Sequence, residues 1–165
     1  MAVKNLTAAK VRHLLDYNGD TGKFVWLRSA GKAVAGAEAG CIRDDGYVSI
    51  CVDGTHVLAH RLAMLLFFGQ WPKNDVDHLT GDRADNRILN LRPASVQVNR
   101  QNVRAAKAGS ASGLLGAYFD ARNGRWYSNI RAGGKRVPLG RFDSAQHAHE
   151  AYIAAKRRLH PGCTI

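Results

Sequence analysis

Cysteine and proline are scarce in this chain, and acidic residues are fewer than basic ones. The sequence has 3 Cys, none in CxxC spacing, and 4 Pro among 165 residues. An odd number of scattered cysteines argues against a disulfide framework and a Cys-rich structural zinc site. No apolar run approaches a membrane span, and the N-terminus has no signal-peptide core. We therefore expect a cytoplasmic protein with no structural zinc and no membrane partner.

Positive charge is abundant and unevenly distributed. The chain carries 24 Lys and Arg against 13 Asp and Glu, a formal net charge of +11. Residues 99–165 hold 12 basic and 3 acidic residues, whereas residues 1–98 hold 12 and 10. Such a balance favours anionic polymers or anionic membrane surfaces, and the lack of any apolar span weakens the membrane alternative. Nucleic acid is the expected partner, and the excess charge lies in the C-terminal part.

The size of the chain suits one ordinary domain or two small ones, and its pattern favours two. Residues 105–113, AAKAGSASG, have the small, polar, Gly-containing composition of a linker. We predict a first domain over 1–104, with its core at about 45–104, and a second domain over 114–165. The predicted fold class is α+β.

Apolar periodicity predicts the elements of the first domain. Thr7 is placed to cap a short amphipathic helix. KFVWLR, GYVSICV and THVL have strand composition, and Asp53-Gly54 joins the last two as a hairpin. LAHRLAMLLFFG predicts a buried helix that ends at Gly69. Strands at DVDH and ILNL follow, and then a helix that starts at Pro93-Ala94-Ser95 and continues into VQVNRQNVRAA.

Asp77 and His78, followed by Asn90 and Asn99, most nearly specify a chemistry. A histidine near its ordinary pKa can deprotonate water at neutral pH, and a carboxylate with an amide oxygen can hold a hard divalent cation. Together these groups suit hydrolysis of a phosphodiester. Adjacent residues on a regular strand point to opposite faces, so Asp77 and His78 serve one site only if the strand ends or bulges there.

Asn99 is expected on the inward face of the last helix of this domain. It lies three residues after Val96 and four before Val103, so the three residues share one face. A buried amide without a partner costs about 1 to 3 kcal/mol. A metal ion and a neighbouring backbone group are both suitable partners, and the sequence leaves the choice open.

The second domain is predicted to be a small three-stranded antiparallel sheet packed on one helix. The strands are GLLGAYFD, RWYSNIRA and KRVPLGRF, and Asp143 or Ser144 caps the helix AQHAHEAYIAAKRRLH. Bulky and basic residues alternate along the strands, so we expect one face of the sheet to present Arg and Lys interleaved with Trp126. A ribbon of strands of this kind can enter the major groove of DNA.

The run from His60-Arg61 through VDHLTGDRADNRILNL to Asn99 resembles the HNH nucleases of phages and of group I intron homing endonucleases, which have a ββα-metal core. The resemblance covers about residues 45–104, in an H-N-N variant. It implies that His78 is the general base, that Asn90 orients it, and that Asp77 and Asn99 hold Mg²⁺, Mn²⁺ or another divalent cation. His60 and Arg61 either contact phosphate or support the site, and a capping or packing role fits them equally well.

The segment from GAYFD to RRLH resembles the APETALA/ethylene-response-factor type of DNA-binding domain, which also occurs appended to phage HNH nucleases. The resemblance spans most of residues 113–160. It implies contacts with double-stranded DNA from Arg122, Arg125, Trp126, Arg131, Lys135, Arg136 and Arg141. The alternative is that Trp126 packs against the helix and that the basic residues only solubilise the sheet.

Together the resemblances imply a metal-dependent DNA endonuclease, encoded by a phage or a mobile element, that nicks or cuts both strands and is targeted by its second domain. A catalytically inactive DNA-binding or regulatory protein that uses the HNH core as a scaffold is the alternative. A nuclease acting on RNA lacks a supporting motif of paired stacking aromatic residues. The expected location is the cytoplasm of a bacterial or phage-infected cell, and the simplest oligomeric state is a monomer.

Overall fold

The computed structural model describes residues 6–165, which form two compact units. The first unit ends at Ser95 and the second begins at Val96. Both combine helices with small antiparallel sheets, which confirms the predicted α+β class. The division falls before the predicted linker at 105–113, and the assignment of the two functional domains stays a prediction. In the described part of the chain, no helix is both long enough and apolar enough to span a membrane.

The first unit consists of two α-helices and short strands. The helices are α1 (Ala8–Leu14) and α2 (Ala59–Phe68). The strands are β1 (Leu15–Asn18), β2 (Lys23–Trp26), β3 (Cys41–Ile42), β4 (Val48–Val52), β5 (Thr55–Leu58), β6 (Asp75–His78) and β7 (Leu91–Ala94). They form the antiparallel sheets β1-β2, β3-β4-β5 and β6-β7.

The helix α2 forms the centre of the first unit. Ala59, Leu62 and Ala63 of this helix have no solvent exposure, and the buried Val11 and Val52 belong to the same core. The predicted end of the helix is confirmed, because Gly69 has a φ of 77°, a left-handed conformation that favours glycine. Burial on most sides of α2 explains its nearly continuous apolar sequence.

The predicted caps and turns of the first unit are confirmed. The Thr7 side chain accepts a hydrogen bond from the Lys10 amide at 3.3 Å and so caps α1. Asp53 and Gly54 have φ angles of 48° and 73° between β4 and β5, as a tight hairpin turn requires.

The hairpin β1-β2 supports the segment that precedes β7. The Tyr17 hydroxyl donates a hydrogen bond to the Asn86 carbonyl at 2.7 Å, and the Ile88 amide donates to the Gly19 carbonyl at 2.9 Å. Gly22 has a φ of +73°, and a Cβ there would lie 2.5 Å from the Arg87 nitrogen. Burial raises the pKa of Tyr17 to about 12, so its hydroxyl remains a donor at neutral pH. The β1-β2 hairpin therefore holds the backbone at 86–88 in place through these hydrogen bonds.

Two predicted elements differ in the structure. ILNL was expected to be a strand, but Ile88–Asn90 form one turn of 3-10 helix and the strand begins at Leu91. Pro93 and Ala94 were expected to start a helix, but they pair with Val76 and Asp75 as part of β7. Proline is tolerated here because β7 pairs with β6 alone and is an edge strand.

The second unit contains a three-stranded sheet packed on one long helix, as predicted. Its elements are α3 (Val96–Gln101), β8 (Tyr118–Asp120), β9 (Arg125–Ala132), β10 (Lys135–Phe142) and α4 (Ala145–Leu159). The strand order is β10-β9-β8, antiparallel throughout. Ser144 caps α4 by accepting from the His147 amide. Gly116 permits close packing, because a Cβ there would lie 2.0 Å from the Tyr152 ring.

The helix α3 is shorter than predicted. The expectation that Val96, Asn99 and Val103 share one inward face was wrong. Val96 and Val103 are 53% and 49% exposed, and Val103 lies beyond the end of the helix. The Gln101 side chain accepts from the Gly162 amide, and the Val103 carbonyl accepts from the Lys156 ammonium. These contacts with the C-terminal part of the same unit replace further helical turns. Asn99 is half-buried.

Candidate active site

The strand β6 ends at His78, which meets the requirement that the sequence imposed on the Asp77-His78 pair. His78 lies opposite Leu91, and these two residues form the last pair of the β6-β7 hairpin. The chain then turns, because the Gly81 amide donates to the His78 carbonyl at 3.0 Å and the Leu79 amide donates to the Asn90 carbonyl at 2.8 Å. Both Asp77 and His78 are buried at this strand end.

Asp77 forms an ion pair across the hairpin. Its Oδ2 atom accepts from Nε and Nη2 of Arg92 at 3.0 and 2.8 Å, and Arg92 is its partner in the β6-β7 register. Asp77 is therefore an oriented, charge-compensated carboxylate beside His78.

Asn90 clamps the two ends of the loop that follows His78. Its Oδ1 atom accepts from the Thr80 amide at 2.8 Å, and its Nδ2 atom donates to the Asp85 carbonyl at 2.8 Å. We expected an Asn90 hydrogen bond to the imidazole, but both amide atoms bond to the loop backbone instead. The buried amide fixes the path of residues 80–85, so its action on His78 is indirect.

Asn90→Ala is expected to lower the free energy of unfolding of the chain by about 1 to 3 kcal/mol. The substitution removes the two hydrogen bonds of the buried Asn90 side chain, to the Thr80 amide and the Asp85 carbonyl, and each contributes about 0.5 to 1.5 kcal/mol. Chemical denaturation measures the change. Asn74→Ala is the matched control because Asn74 lies in the same unit and is exposed. Equal stability of the two variants would show that the clamp contributes nothing.

Asn86 is the side chain that interacts with the His78 ring. Burial lowers the pKa of His78, and the contact with Asn86 acts in the opposite direction, as an acceptor facing an imidazole N–H does. Asn86 is itself buried, and its Nδ2 atom donates to the Ala84 carbonyl at 2.9 Å, which leaves Oδ1 for the imidazole. Among the described residues, Oδ1 meets no partner with full hydrogen-bond geometry, so the contact is a weak one.

The sequence analysis missed Asn86. The available signal was an amide residue at the end of a mostly charged loop, GDRADN, where a charged residue would be equally soluble. Only the folded loop shows that this side chain turns inward while its neighbours Asp82 and Arg83 remain exposed.

His60 and Arg61 lie on α2 with different surroundings. His60 is buried, and its ring centroid lies 5.1 Å from that of His78. Arg61 donates to the carbonyls of Pro72 and Asn74, at 3.2 and 3.4 Å, and so ties α2 to the segment before β6. These contacts favour the supporting role for both residues over a contact with phosphate.

A divalent cation would find few protein ligands in the first unit. Among the described residues, no group of three or more His, Cys, Asp or Glu side chains could hold a metal ion. Mg²⁺ needs no such group, since it usually retains several waters and binds through one or two carboxylates and substrate phosphates. Asp77 supplies a carboxylate of this kind. Asn99 lies on α3 in the second unit, and its role as a ligand stays a prediction.

The sheet of the second unit has one buried and one open face. Ser128 and Ile130 of β9 are buried, whereas Arg125, Tyr127, Asn129 and Arg131 alternate with them and lie on the other side. The pairing of β9 with β10 adds further residues to this open face: Arg136, Pro138 and Arg141. A depression of about 820 Å³ on this face is lined by residues that include Tyr127, Asn129, Arg136 and Arg141.

Trp126 was expected among the basic residues, and that arrangement was wrong. Trp126 alternates with Tyr127, so it lies on the side of Ser128 and Ile130, with the Phe119 ring 5.0 Å away. Lys135 pairs with Ala132, which lies two residues after Ile130, so the Lys135 side chain also lies on the side of Ser128 and Ile130. Tyr127 lies on the open face, where it stacks on its cross-strand partner Tyr118 with ring centroids 5.4 Å apart. The alternation of Arg125, Tyr127, Asn129 and Arg131 was the signal for it.

Some of the predicted DNA-contacting arginines have acidic neighbours. Arg125 forms an exposed ion pair with Asp143 at 2.7 Å, and Arg141 lies 3.9 Å from Asp120. Exposed pairs of this kind contribute little to stability, so both guanidinium groups can exchange partners at small cost. Arg122 is exposed in the turn between β8 and β9, where its amide donates to Asp120.

Two comparisons found similar proteins, one a solved structure and one a protein family. One solved structure, titled "DNA binding and cleavage by the HNH homing endonuclease I-HmuI", is similar over 90% of this chain and 88% of that chain, with 21% sequence identity and a TM-score of 0.43. No curated protein matches the chain. The family model described as HNH endonuclease matches residues 57–101, a segment that contains Asp77, His78, Asn86, Asn90 and Asn99.

Proposed function

We propose that this protein is a DNA endonuclease that hydrolyses phosphodiester bonds with His78 as the general base. The observation that carries the proposal is a buried histidine at the end of β6, inside the segment that matches the HNH endonuclease model. A net charge of +11 suits a polyanionic substrate. A phage or mobile element is the proposed source, as the resemblance to intron-type nucleases implies.

The environment of His78 suits a base at neutral pH. Burial lowers its pKa, so the ring is neutral and can accept a proton from water. The Asn86 side chain faces the ring and favours the tautomer whose N–H points toward its Oδ1 atom. Asn90 holds the loop that carries Asn86. Each residue thus acts on the imidazole either directly or through the backbone.

A divalent cation is part of the proposal, with Asp77 as the ligand that the first unit supplies, and the role of Asn99 as a second ligand stays a prediction. When bound, such an ion stabilises the negative charge that develops on the phosphate and the leaving oxygen. Arg92 orients Asp77 through two hydrogen bonds to a single oxygen.

The second unit is proposed to bind double-stranded DNA through its open sheet face. Residues 96–165 hold 12 basic and 3 acidic residues, which concentrates the positive charge in this unit. Arg131, Arg136 and Arg141 lie on that face, and Arg122 and Arg125 lie at its edge. Trp126 and Lys135 stay candidates for contact only at the margins of the sheet.

Incubation of the purified chain with supercoiled plasmid, with and without Mg²⁺ or Mn²⁺, tests the proposal. Metal-dependent conversion to nicked or linear DNA is the expected result, and the product distinguishes single-strand from double-strand cleavage. Binding without cleavage at any metal concentration would favour the alternative of a regulatory DNA-binding protein.

Asn86→Ala is expected to slow cleavage about 10- to 100-fold, because a residue that orients a functional group typically contributes that much. Loss of the acceptor also lowers the pKa of His78 further, so the acid limb of the pH profile moves to lower pH. Asn86→Asp places a negative charge at the ring and moves the limb to higher pH. The parent should lose activity only below pH 6.5, since burial lowers its pKa. Identical profiles for all three proteins would remove Asn86 from the site.

A further inference from the structure

His78 belongs to a cluster of three aromatic rings from three separate segments of the chain. The ring centroids of His60 and His78 lie 5.1 Å apart with an interplanar angle of 89°, an edge-to-face arrangement. Tyr47, which precedes β4, lies 5.2 Å from His60 and 5.8 Å from His78. Each ring therefore touches the other two, and we call this group the ring cluster.

The neighbours of His78 in the ring cluster are themselves fixed. His60 is the second residue of α2, between Ala59 and the core residue Leu62, which both have no exposure. Tyr47 lies under the guanidinium of Arg83, 4.9 Å from the ring centroid, and Arg83 donates to the Asp45 carbonyl at 2.8 Å. The ring cluster is thus anchored on one side by the core helix and on the other by a cation-π contact.

The chemistry of His60 does not suit proton transfer. Its ring is buried, and its Nδ1 atom has no hydrogen-bond partner among the described residues. Burial, with smaller contributions from His78 and Arg61, lowers the pKa of His60 to about 3. The ring is therefore neutral under ordinary conditions, and it can act on His78 through shape and contact without adding a charge.

We propose that His60 is a positioning residue, whose buried ring packs edge-to-face against His78 and fixes the plane in which the His78 imidazole meets the substrate. This inference rests on the proposed function. Nucleophile activation needs the accepting nitrogen within hydrogen-bond reach of the water, and small errors in such geometry are costly. Hydrogen bonds from one side leave an imidazole able to tilt, whereas a ring against its face or edge limits that motion.

The test compares three variants with the parent: His60→Ala, His60→Phe and His60→Leu. His60→Ala removes the ring and should lower kcat for plasmid cleavage about 10-fold or more, with KM for DNA unchanged within about 2-fold. His60→Phe keeps a flat ring and should restore kcat to within about 3-fold of the parent. His60→Leu keeps apolar volume without a flat edge and should resemble His60→Ala, and it serves in place of that variant if His60→Ala does not melt cooperatively.

A second readout does not require cleavage. Proton NMR contacts between the Tyr47 and His78 rings should persist in His60→Phe and weaken in His60→Ala and His60→Leu, with the His78 signals assigned by their loss in His78→Gln. His56→Ala, at an exposed histidine on β5, is the control that should leave both readouts unchanged.

The outcomes separate this inference from the proposed function. A parent that never cleaves DNA, but whose NMR contacts depend on the ring at position 60, contradicts the proposed function and supports the ring cluster. A parent that cleaves, together with a folded His60→Leu of parental kcat and unchanged contacts, overturns the positioning role. A slow His60→Phe would also overturn it, because a ring nitrogen rather than ring shape would then be required.

Discussion

His78→Ala should lower kcat for plasmid cleavage by about two to four orders of magnitude, the usual effect of removing a general base. The affinity for DNA should remain close to that of the parent, because the His78 side chain is buried and a neutral ring contributes no charge to phosphate binding. Cleavage time courses at saturating Mg²⁺ and binding titrations in its absence measure the two quantities separately.

The controls for His78→Ala address folding and contamination. A cooperative melt of the variant is the control for folding, because His78 is buried and its ring contacts Tyr47 and His60. His56→Ala, which removes an exposed histidine in the same unit, should cleave like the parent. Cleavage by His78→Ala at the parental rate would show that a different group, or a contaminating nuclease, performs the reaction.

Replacement of Arg131, Arg136 and Arg141 by glutamine should weaken DNA binding roughly 100-fold at moderate salt. Each phosphate contact contributes about −0.9 to the slope of log affinity against log salt, so the loss of three contacts should flatten that slope by up to about 2.7. Binding is expected to weaken because all three arginines lie on the open face of the sheet in the second unit. Titrations at several salt concentrations give the slope directly.

A triple variant of equal charge isolates the role of that face. Lys107, Arg157 and Arg158 are exposed and lie outside the open face, the last two on α4. Their replacement by glutamine changes the net charge equally and should alter the salt slope much less. Equal effects of the two triple variants would mean that total charge, and not the sheet face, governs binding.

The elements of this fold could be predicted well wherever the sequence contains strong local signals. Thr7, the Asp53-Gly54 turn and Gly69 each act through backbone geometry at their own position, so a cap or a turn can be recognised without knowledge of the rest of the fold. The start of α3 was harder, because Pro93 fits both an edge strand and a first helical turn. Tertiary contacts with the C-terminal segment decide where that helix ends.

The sequence indicates candidate residues for the site, but it does not show which contacts they make. The Asp77-His78 pair is visible in the sequence, whereas the Asn86 contact depends on a loop path that is fixed by Asn90 and the backbone. The open face of the sheet was assigned to the wrong aromatic residue because a shift of one position reverses every side chain of a strand. The burial of Ser128 and Ile130 shows which alternate residues of β9 face inward. Without it, the sequence cannot decide whether Trp126 or Tyr127 lies on the open face.

The hydrogen bonds from Tyr17 and to Gly19 bear on how this protein can be divided. A fragment that starts at residue 45 retains Asp77, His78, Asn86 and Asn90 and the whole segment that matches the HNH endonuclease model. It nevertheless loses the hairpin that holds the backbone at 86–88. The smallest unit that can keep the His78 loop in place therefore begins before β1, well outside residues 57–101, which match the HNH endonuclease model.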